Sequence, residues 1–456
     1  MVYSPAMAPN DLNARPASEN SSLRATRTRY WVIVFAVTLA VITYIDRVCI
    51  SQAAPSIRKA LNLSEAEMAN VFGAFGLAYA LFEIPSGWWG DILGPRKVLM
   101  RVVLWWSFFT AATGRAWSFW SLWVTRFMFG AGEAGCFPNL TKAFTLWLPK
   151  AERTRAQGIM WMSARWGGAF TPLLVVWVFA FMDWRSAFVL FGTLGVVWAV
   201  IFYFWFRDRP REHKGVNAAE LELLRENETN LASHAHMPWG KLVASPTVWL
   251  LWGQYFCISY GWYFYITWLP TYLQEERGVA LGKSAFLAGL PLFFGGIGCL
   301  LAGFLLGWLV RHSVSVTFAR RLLGFVGCTA ASGLLLWSAY IKDPQLAMIS
   351  MGLAGFANDL TLPGAWSACM DVGGRFAGTL SSSMNMMGNF GGMAGPVVVG
   401  HVLGFTHNWQ ITFWISSAIY FLGGLCWLFI DPVTPLEGAV VAEGPVPARG
   451  PAPAQT

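Results

Sequence analysis

Arg126-Phe-Met-Phe-Gly-Ala-Gly-Glu133-Ala-Gly-Cys-Phe-Pro138 places a guanidinium and a carboxyl group inside an otherwise apolar helical segment. Seven residues make nearly two helical turns, so Arg126 and Glu133 share one stripe, roughly 10 Å apart along the axis. Ionisable groups at bilayer depth usually mark an ion or substrate path, although a structural pair locking two helices is the alternative. Low dielectric favours the neutral carboxyl, so Glu133 is suited to carry a proton.

The chain around this stretch is strongly apolar. Its 456 residues are 55% hydrophobic and 12% charged, with 26 Trp, and apolar runs of membrane-spanning length alternate with short polar segments. The composition predicts an all-α polytopic protein embedded in a lipid bilayer. The first 29 residues contain no apolar signal-peptide core, so we expect the first apolar run to be retained and the N-terminus to be cytoplasmic.

About twelve spans are predicted, beginning near residues 30, 68, 98, 118, 154, 184, 247, 282, 321, 345, 375 and 409. Basic residues in the polar segments favour the side of the N-terminus by about three to one, which predicts a plasma (inner) membrane protein with both termini cytoplasmic. This distribution explains the net charge of +8 better than nucleic-acid binding does. The cysteines lie in or near apolar runs and indicate neither a disulfide framework nor a metal cluster.

The two halves of the chain resemble each other. Gly167-Gly-Ala-Phe-Thr-Pro172 matches Gly391-Gly-Met-Ala-Gly-Pro396, and Asp183-Trp-Arg-Ser-Ala-Phe188 matches Asn408-Trp-Gln-Ile-Thr-Phe413. The offsets, 396 − 172 = 224 and 409 − 184 = 225, agree to within a residue, as a duplicated six-helix unit requires. Parallel repeats of six spans favour a transporter with its site between the halves.

This repeat predicts a domain order for the whole chain. We expect a disordered cytoplasmic N-terminus (1–29), an N-terminal six-helix bundle (30–206), a cytoplasmic linker (207–245), a C-terminal six-helix bundle (246–432) and a disordered cytoplasmic tail (433–456). Within the linker, the stretch 218–225 has the pattern of a short amphipathic helix.

The segment after the second span reads Gly87-Trp-Trp-Gly-Asp91-Ile-Leu-Gly94-Pro-Arg96-Lys97. It resembles the signature loop of the major facilitator superfamily, with Ile92 where that family usually carries Arg. By this resemblance, a conformational-gating loop is formed by Gly87, Asp91, Gly94, Arg96 and Lys97. Small residues permit close helix approach, and Asp91 is suited to a helix N-terminus. A plain basic cytoplasmic turn is the alternative.

A second resemblance rests on several motifs together: Tyr44-Ile-Asp46-Arg47-Val-Cys-Ile-Ser51, the opening stretch, Gln254-Tyr-Phe, Phe264-Tyr-Ile-Thr-Trp-Leu-Pro-Thr-Tyr-Leu273 and Asn385-Met-Met-Gly-Asn389. Together they resemble the anion:cation symporter family, which moves organic anions such as galactonate, glucarate and hexuronates. The resemblance implies that Asp46 and Glu133 carry coupling protons and that Arg47 and Arg126 meet the substrate carboxylate. It also implies hydrogen bonds to substrate from Tyr44, Tyr79, Gln254, Asn385 and Asn389.

The residue types support this assignment independently. Guanidinium groups match carboxylates, and adjacent Asp46 and Arg47 point in different directions on a helix, although purely structural pairing is the alternative. Arg165 adds a third interior cation and is a predicted substrate-binding residue. With Asp46 and Glu133 the only clear deep carboxylates of the N-terminal half, the interior charge balance favours an anionic ligand. Asp359 is expected to bind a substrate hydroxyl, take a proton or neutralise Arg165 across the cavity. Lys142 is expected to snorkel to the interface.

Aromatic residues are dense in the seventh span, where Tyr260 belongs to a group with Tyr263, Tyr265 and Trp268. Lipid anchoring explains most such residues, but aromatic walls with polar tips also suit a carbohydrate-like acid, so Tyr260 is a predicted substrate-binding residue.

The sequence therefore predicts a major facilitator fold that imports a small organic anion, a sugar acid, with protons as the coupling ion, no other cofactor and no nucleic acid. We expect a monomer. An exchanger or uniporter, a multidrug proton antiporter and a non-transporting nutrient sensor are the alternatives. No zinc-type His-Glu-x-x-His, Gly-x-Ser-x-Gly elbow or phosphate loop is present, so we do not expect an enzyme.

Overall fold

The computed structural model describes residues 24–230, 239–279, 287 and 289–436. Apolar helices dominate the first half of the chain. They are α1 (Tyr30–Leu61), α2 (Glu65–Leu93), α3 (Pro95–Thr113), α4 (Phe119–Glu133), α5 (Cys136–Trp147), α6 (Lys150–Phe179) and α7 (Trp184–Trp205). Because α4 and α5 are separated by only two residues, they form one interrupted span.

The second half repeats this order. After the short helices α8 (Ala218–Leu223) and α9 (Trp239–Ala244) come α10 (Pro246–Thr267), α11 (Leu269–Thr271) and a π-helical turn at Tyr272–Glu276. The remaining helices are α12 (Leu290–Arg311), α13 (Val316–Ser338), α14 (Pro344–Asp359), α15 (Leu362–Gly373), α16 (Ala377–Thr406) and α17 (Trp409–Phe429). Here α14 and α15 form the interrupted span that corresponds to α4 and α5.

The predicted all-α architecture is confirmed. In the described part of the chain, each predicted span start lies within a few residues of a helix start, apart from the eighth, where 280–286 are outside the described residues and α12 begins at Leu290. Among the described residues, five helices satisfy both the length and the apolar composition of a membrane crossing, namely α1, α7, α12, α13 and α17. Large apolar side chains such as Phe108, Leu173 and Phe204 are exposed, as lipid-facing positions are.

The two groups of helices meet along two seams. One lies between α2 and α16, and the other between α6 and α12. In the first seam, a Cβ on Gly87 would lie 2.0 Å from Ser382 Oγ and 2.6 Å from the Gly378 carbonyl oxygen. The helix axes approach this closely because Gly87 has no side chain.

The segment between the halves packs against the start of α1. Glu220 of α8 is buried and accepts hydrogen bonds from Thr26 Oγ1 at 2.6 Å and from Arg29 Nη1 at 3.1 Å. We call this side, where α1 begins and α17 ends, the terminal side. The helix predicted at 218–225 forms as Ala218–Leu223. The domain division remains a prediction, and its termini lie largely outside the described residues, at 1–23 and 437–456.

Candidate functional site

A cavity of about 250 Å³ lies between the two groups of helices. Both groups contribute side chains, and most of these are aromatic or polar. The lining residues are Tyr44, Arg47, Val48, Ser51, Phe75, Tyr79, Phe137, Trp161, Arg165, Tyr255, Ile258, Ser259, Trp262, Tyr263, Ile266, Asn358, Leu362, Asn385, Gly388 and Asn389. Enclosure by both halves, with a few charged groups among aromatic walls, is typical of a small-molecule site.

Arg47 is one of two cations that line the cavity. Its Nε donates to Glu133 Oε1 in a short ion pair, with Glu133 fully buried behind it. The guanidinium lies 4.8 Å from the ring centroid of Tyr79 and 5.4 Å from that of Phe75. These rings restrict its position, and its Nη2 has no hydrogen-bond partner among the described residues.

Several other buried polar atoms on the cavity wall also lack a partner within the described part of the chain. They are Tyr79 Oη, Trp161 Nε1 and Asn358 Oδ1. Together with Arg47 Nη2, these atoms give a polar ligand in the cavity groups with which to form hydrogen bonds.

Asp46 and Arg126 are placed behind this wall, and neither lines the cavity. Asp46 is fully buried, with Arg126, Glu133 and Trp106 as its polar neighbours, and neither carboxyl oxygen has a hydrogen-bond partner in the described ranges. Arg126 is 2% exposed, and its guanidinium lies 4.2 Å from the Phe129 ring centroid. In this conformation Arg126 is therefore screened from the cavity that Arg47 reaches.

Arg165 is the other cation that lines the cavity. Its Nε donates to Asp359 Oδ2 at 2.7 Å and its Nη2 to Asp359 Oδ1 at 3.0 Å, which joins α6 to α14. The guanidinium also lies 3.5 Å from the ring centroid of Trp262. Of the three roles expected for Asp359, the structure shows neutralisation of Arg165. Asp359 itself is fully buried and does not line the cavity.

Glu83 of α2 is a deep carboxyl group that the sequence reasoning missed, so the statement that Asp46 and Glu133 are the only ones in the N-terminal half is wrong. Glu83 is fully buried and accepts hydrogen bonds from Asn385 Nδ2, through a short contact, and from Asn389 Nδ2 at 3.0 Å. The signal was available, because Glu83 stands within the apolar second span, two residues before Pro85.

The predicted side chains on α10 divide by helical face. Its cavity face carries residues 255, 258, 259, 262, 263 and 266, the spacing of one helical stripe. Gln254 and Tyr260 lie off this stripe and do not line the cavity; Gln254 Nε2 donates to the carbonyl of Leu251 instead. The predicted Tyr44, Tyr79, Asn385 and Asn389 do line it.

The signature segment closes the terminal side, but it is not the loop that the sequence predicts, since residues 87–93 belong to α2 and residues 95–97 to α3. Asp91 accepts hydrogen bonds from the N–H groups of Gly378 at 3.0 Å and Thr379 at 2.6 Å, at the N-terminus of α16. Lys142 pairs with Asp91 at 3.2 Å and also donates to the carbonyl of Arg375 in a short contact. The expectation that Lys142 snorkels is wrong, because it is 1% exposed and bridges the two halves.

A neighbouring ion pair, Arg153 with Asp371, also crosses between the halves, and Arg320 holds the same carboxyl group from within the second half. Arg153 Nη1 lies 3.6 Å from Asp371 Oδ1, and Arg320 Nη2 lies 2.7 Å from Asp371 Oδ2. Because Arg153 belongs to the first half and Asp371 to the second, the terminal side is held shut by a charge network as well as by packing.

Gly94 and Arg96 contact residues close to the C-terminal end of α7. Gly94 has φ +83°, and a Cβ there would lie 2.6 Å from Asp208. Arg96 donates its backbone N–H to Asp208 at 2.9 Å and its side chain to the carbonyl of Tyr203. Burial raises the pKa of the Asp208 carboxyl, and the hydrogen bond from Arg96 opposes that rise. Lys97 is exposed.

The two interrupted spans place carboxyl groups at matching positions. Glu133 ends α4 and Asp359 ends α14, an offset of 359 − 133 = 226, close to the repeat offset of the sequence. Each pairs with an arginine, Glu133 with Arg47 and Asp359 with Arg165. The sequence signal for this correspondence was a pair of prolines. Pro138 follows Glu133 and Pro363 follows Asp359, and the two prolines are 225 residues apart.

The described residues hold no group of three or more His, Cys, Asp or Glu arranged for a metal ion. The interior charges instead comprise three arginines, Arg47, Arg126 and Arg165, and four carboxyl groups, Asp46, Glu83, Glu133 and Asp359. Ionisable groups at membrane depth usually mark the path of an ion or a substrate.

Comparison with known proteins gives the family. The family model described as Major Facilitator Superfamily matches residues 36–396. The probable sulfoacetate transporter of Cupriavidus necator is 37% identical over 413 residues, covering 90% of this chain and 96% of that protein. The D-galactonate transporter of Escherichia coli O6:H1 is 30% identical over 418 residues, covering 89% and 96%. The solved proton:xylose symporter shares the fold, with a TM-score of 0.72 at 14% identity over 88% of this chain and 96% of that chain. This chain belongs to the major facilitator superfamily and is a membrane transporter rather than an enzyme.

Proposed function

We propose that this protein is a proton-coupled symporter that imports a small organic anion, a sugar acid such as a hexonate, hexarate or hexuronate, by alternating access. The observation that carries the proposal is the Arg47–Glu133 pair, in which the guanidinium faces the cavity and the carboxyl group lies behind it. An anion that binds Arg47 competes with Glu133 for the same charge.

Protonation of Glu133 resolves this competition. With Glu133 neutral, the charge of Arg47 is available to a substrate carboxylate, and the loaded site carries no excess charge at this pair. With Glu133 ionised and substrate absent, the internal ion pair satisfies both groups. Substrate binding and proton binding therefore favour each other, and such linkage is reciprocal.

The wider charge balance supports the same coupling. Three interior arginines face four carboxyl groups, so a fully ionised interior carries a net charge of 3 − 4 = −1 and repels an anion. Protonation of Glu133 and of Asp46, which lies beside Arg126, changes that sign. Asp46 is the second proton-coupling site in this proposal. Arg126 is the cation that the substrate carboxylate meets in another conformation of the transport cycle.

The sugar-acid class is supported by the polar tips on the cavity wall. Five polar side chains line the cavity together with Arg47 and Arg165 and offer both hydrogen-bond donors and acceptors: Tyr44, Tyr79, Tyr263, Asn385 and Asn389. A polyhydroxylated acid uses such groups through its hydroxyls, and aromatic walls suit the apolar faces of its carbon chain. The related D-galactonate transporter agrees with this class.

A short anion with two charged ends is the second candidate. Arg47 and Arg165 both line a cavity of only about 250 Å³, and a relative of 37% identity is a probable sulfoacetate transporter. Such an anion has no hydroxyl group to donate to the asparagine and tyrosine side chains.

The membrane orientation and assembly state complete the proposal. We place the terminal side in the cytoplasm of a plasma (inner) membrane, with both chain termini there, on the basis of the basic residues of the short segments. The charge network at the terminal side is then the cytoplasmic gate, closed in this conformation. We propose that the monomer is the transporting unit, since the cavity is enclosed by one chain.

The test is reconstitution into liposomes that contain a pH-sensitive dye. The protein is challenged with hexonates, hexarates, hexuronates, sulfoacetate and phosphate esters in turn. Acidification of the lumen by sugar acids alone supports the proposal, and acidification by sulfoacetate alone selects the second candidate. Counterflow of an anion without acidification identifies an exchanger or uniporter and refutes proton symport.

A further inference from the structure

Glu83 is a buried carboxyl group held by two neutral amides. Both of its oxygens accept amide hydrogen bonds, Oε1 from Asn385 and Oε2 from Asn389. None of the ion pairs formed by the described residues includes Glu83. Burying a charge without a counter-charge is costly, so a carboxyl group in this setting gains from taking up a proton.

The neighbours of Glu83 define its electrostatic setting. Arg47 of α1 and Glu133 of α4 are within electrostatic range of it, and α16 presents only the two neutral amides. On α5, Lys142 is engaged with Asp91, two turns further along α2. Arg101 of α3 is exposed on the bundle surface. Arg47 is thus the cation in range, and it is already paired with Glu133.

Glu83 also joins the two halves at the edge of the cavity. It belongs to α2, both asparagines belong to α16, and both asparagines line the cavity. One layer of side chains therefore separates the carboxyl group from cavity water. Any change at Glu83 acts directly on the seam between α2 and α16, where the halves meet.

The hydrogen-bond chemistry gives the consequence of proton binding. An ionised carboxylate only accepts hydrogen bonds, so it holds both amide N–H groups at once. A protonated carboxyl group has one O–H donor, and its hydroxyl oxygen is a weaker acceptor than a carboxylate oxygen. Protonation therefore weakens the bond from one amide, or makes that amide turn to present its oxygen, and so loosens the bridge between α2 and α16.

We propose that Glu83 is a third proton-binding group of the transport cycle, and that its protonation releases the α2–α16 bridge beside the cavity. This inference rests on the proposed proton symport. The proton enters from the aqueous phase to which the cavity opens and leaves on the other side, so no further reactant is required. Glu83 is ionised in the bridged state and neutral when the halves reorient.

The proton-to-substrate ratio tests this role, because a purely structural contact would not change it. In proteoliposomes, the ratio follows from the membrane potential at which net flux of the anion identified by the dye panel is zero. We expect Glu83→Gln to lower the ratio by one proton and Glu83→Asp, which remains titratable, to keep it. Asn389→Ala is the matched control and should slow transport at an unchanged ratio.

Two results would overturn the role of Glu83. A wild-type ratio in Glu83→Gln, with proton-driven accumulation lost in Glu133→Gln, makes Glu83 structural while proton symport stands. A wild-type protein that moves the anion without protons refutes both proposals. If Glu83→Gln folds but does not transport, we compare infrared difference spectra between acidic and alkaline pH for the variant and the wild-type protein. Loss of a carboxylic-acid band in the variant supports the role of Glu83, and a spectrum identical to that of the wild type contradicts it.

Discussion

Arg165 and Asp359 form a two-point ion pair, with Nε to Oδ2 at 2.7 Å and Nη2 to Oδ1 at 3.0 Å, that ties the fifth span directly to the tenth. Asn358 Nδ2 adds a third hydrogen bond to the same carboxyl group at 2.8 Å. The pair thus sits at the boundary between the halves, where it affects both stability and the ease of reorientation.

Replacing one residue of the Arg165–Asp359 pair should lower the stability of the protein more than replacing both residues. Asp359→Asn leaves the Arg165 guanidinium buried without a counter-charge, which costs about 3–5 kcal/mol. We expect a clear fall in the Tm of purified protein for this variant and partial recovery in Arg165→Gln/Asp359→Asn. Additive losses in the double variant would show that the two groups are not energetically coupled.

Substitution at Gly87 should prevent closure of the terminal side. A Cβ there would lie 2.6 Å from a backbone oxygen of α16, and overpacking of this kind costs about 1–3 kcal/mol. We expect Gly87→Ala to reduce the maximal uptake rate about tenfold, since 1.4 kcal/mol corresponds to that factor. Gly76→Ala on the same helix meets nothing within 4 Å and is the control. Equal uptake by the two variants at equal membrane abundance would contradict the close contact.

Two tyrosines on α10 provide a matched test of the cavity. Tyr263 lines it and Tyr260 does not. Loss of one hydrogen bond to the substrate costs about 1 kcal/mol, so Tyr263→Phe should raise KM several-fold. Tyr260→Phe should leave KM unchanged, as measured by initial uptake rates. A larger effect at Tyr260 would mean that substrate binds on another face of the helix.

The Asp91 hydrogen bonds predict a gating defect rather than a binding defect. Asp91→Asn loses the charge that pairs with Lys142 and weakens the three bonds to Gly378 and Thr379. We expect a lower maximal rate with KM changed by less than about twofold. Asp183→Asn, at the exposed N-cap of α7, is a control that should transport normally. An increased KM alone in Asp91→Asn would place this group in substrate binding.

Much of the architecture was accessible from the sequence. Apolar periodicity located the helix starts, and the matched segments near Pro172 and Pro396 revealed the duplication. Charges in apolar spans identified Arg47, Glu133 and Arg165 as interior groups. These signals are local, because the bilayer imposes length, apolarity and satisfied backbone hydrogen bonds on each span separately.

The details of the site depended on how the spans rotate and pair. Sequence motifs do not specify that Gln254 and Tyr260 face away from the cavity, since one residue shifts a helical direction by about 100°. The screening of Arg126 and the bridge from Glu83 to α16 likewise arise from packing between segments far apart in the chain. Lys142 was misread because its partner Asp91 lies on another helix.

The most direct test of the central claim uses Glu133→Gln in proteoliposomes. This variant removes the titratable group behind Arg47 while keeping its size, and it leaves Arg47 free to meet an anion. We predict that counterflow exchange of the transported anion persists, whereas proton-driven accumulation and lumen acidification are lost. Retention of proton-driven accumulation in Glu133→Gln would contradict the coupling role of the Arg47–Glu133 pair.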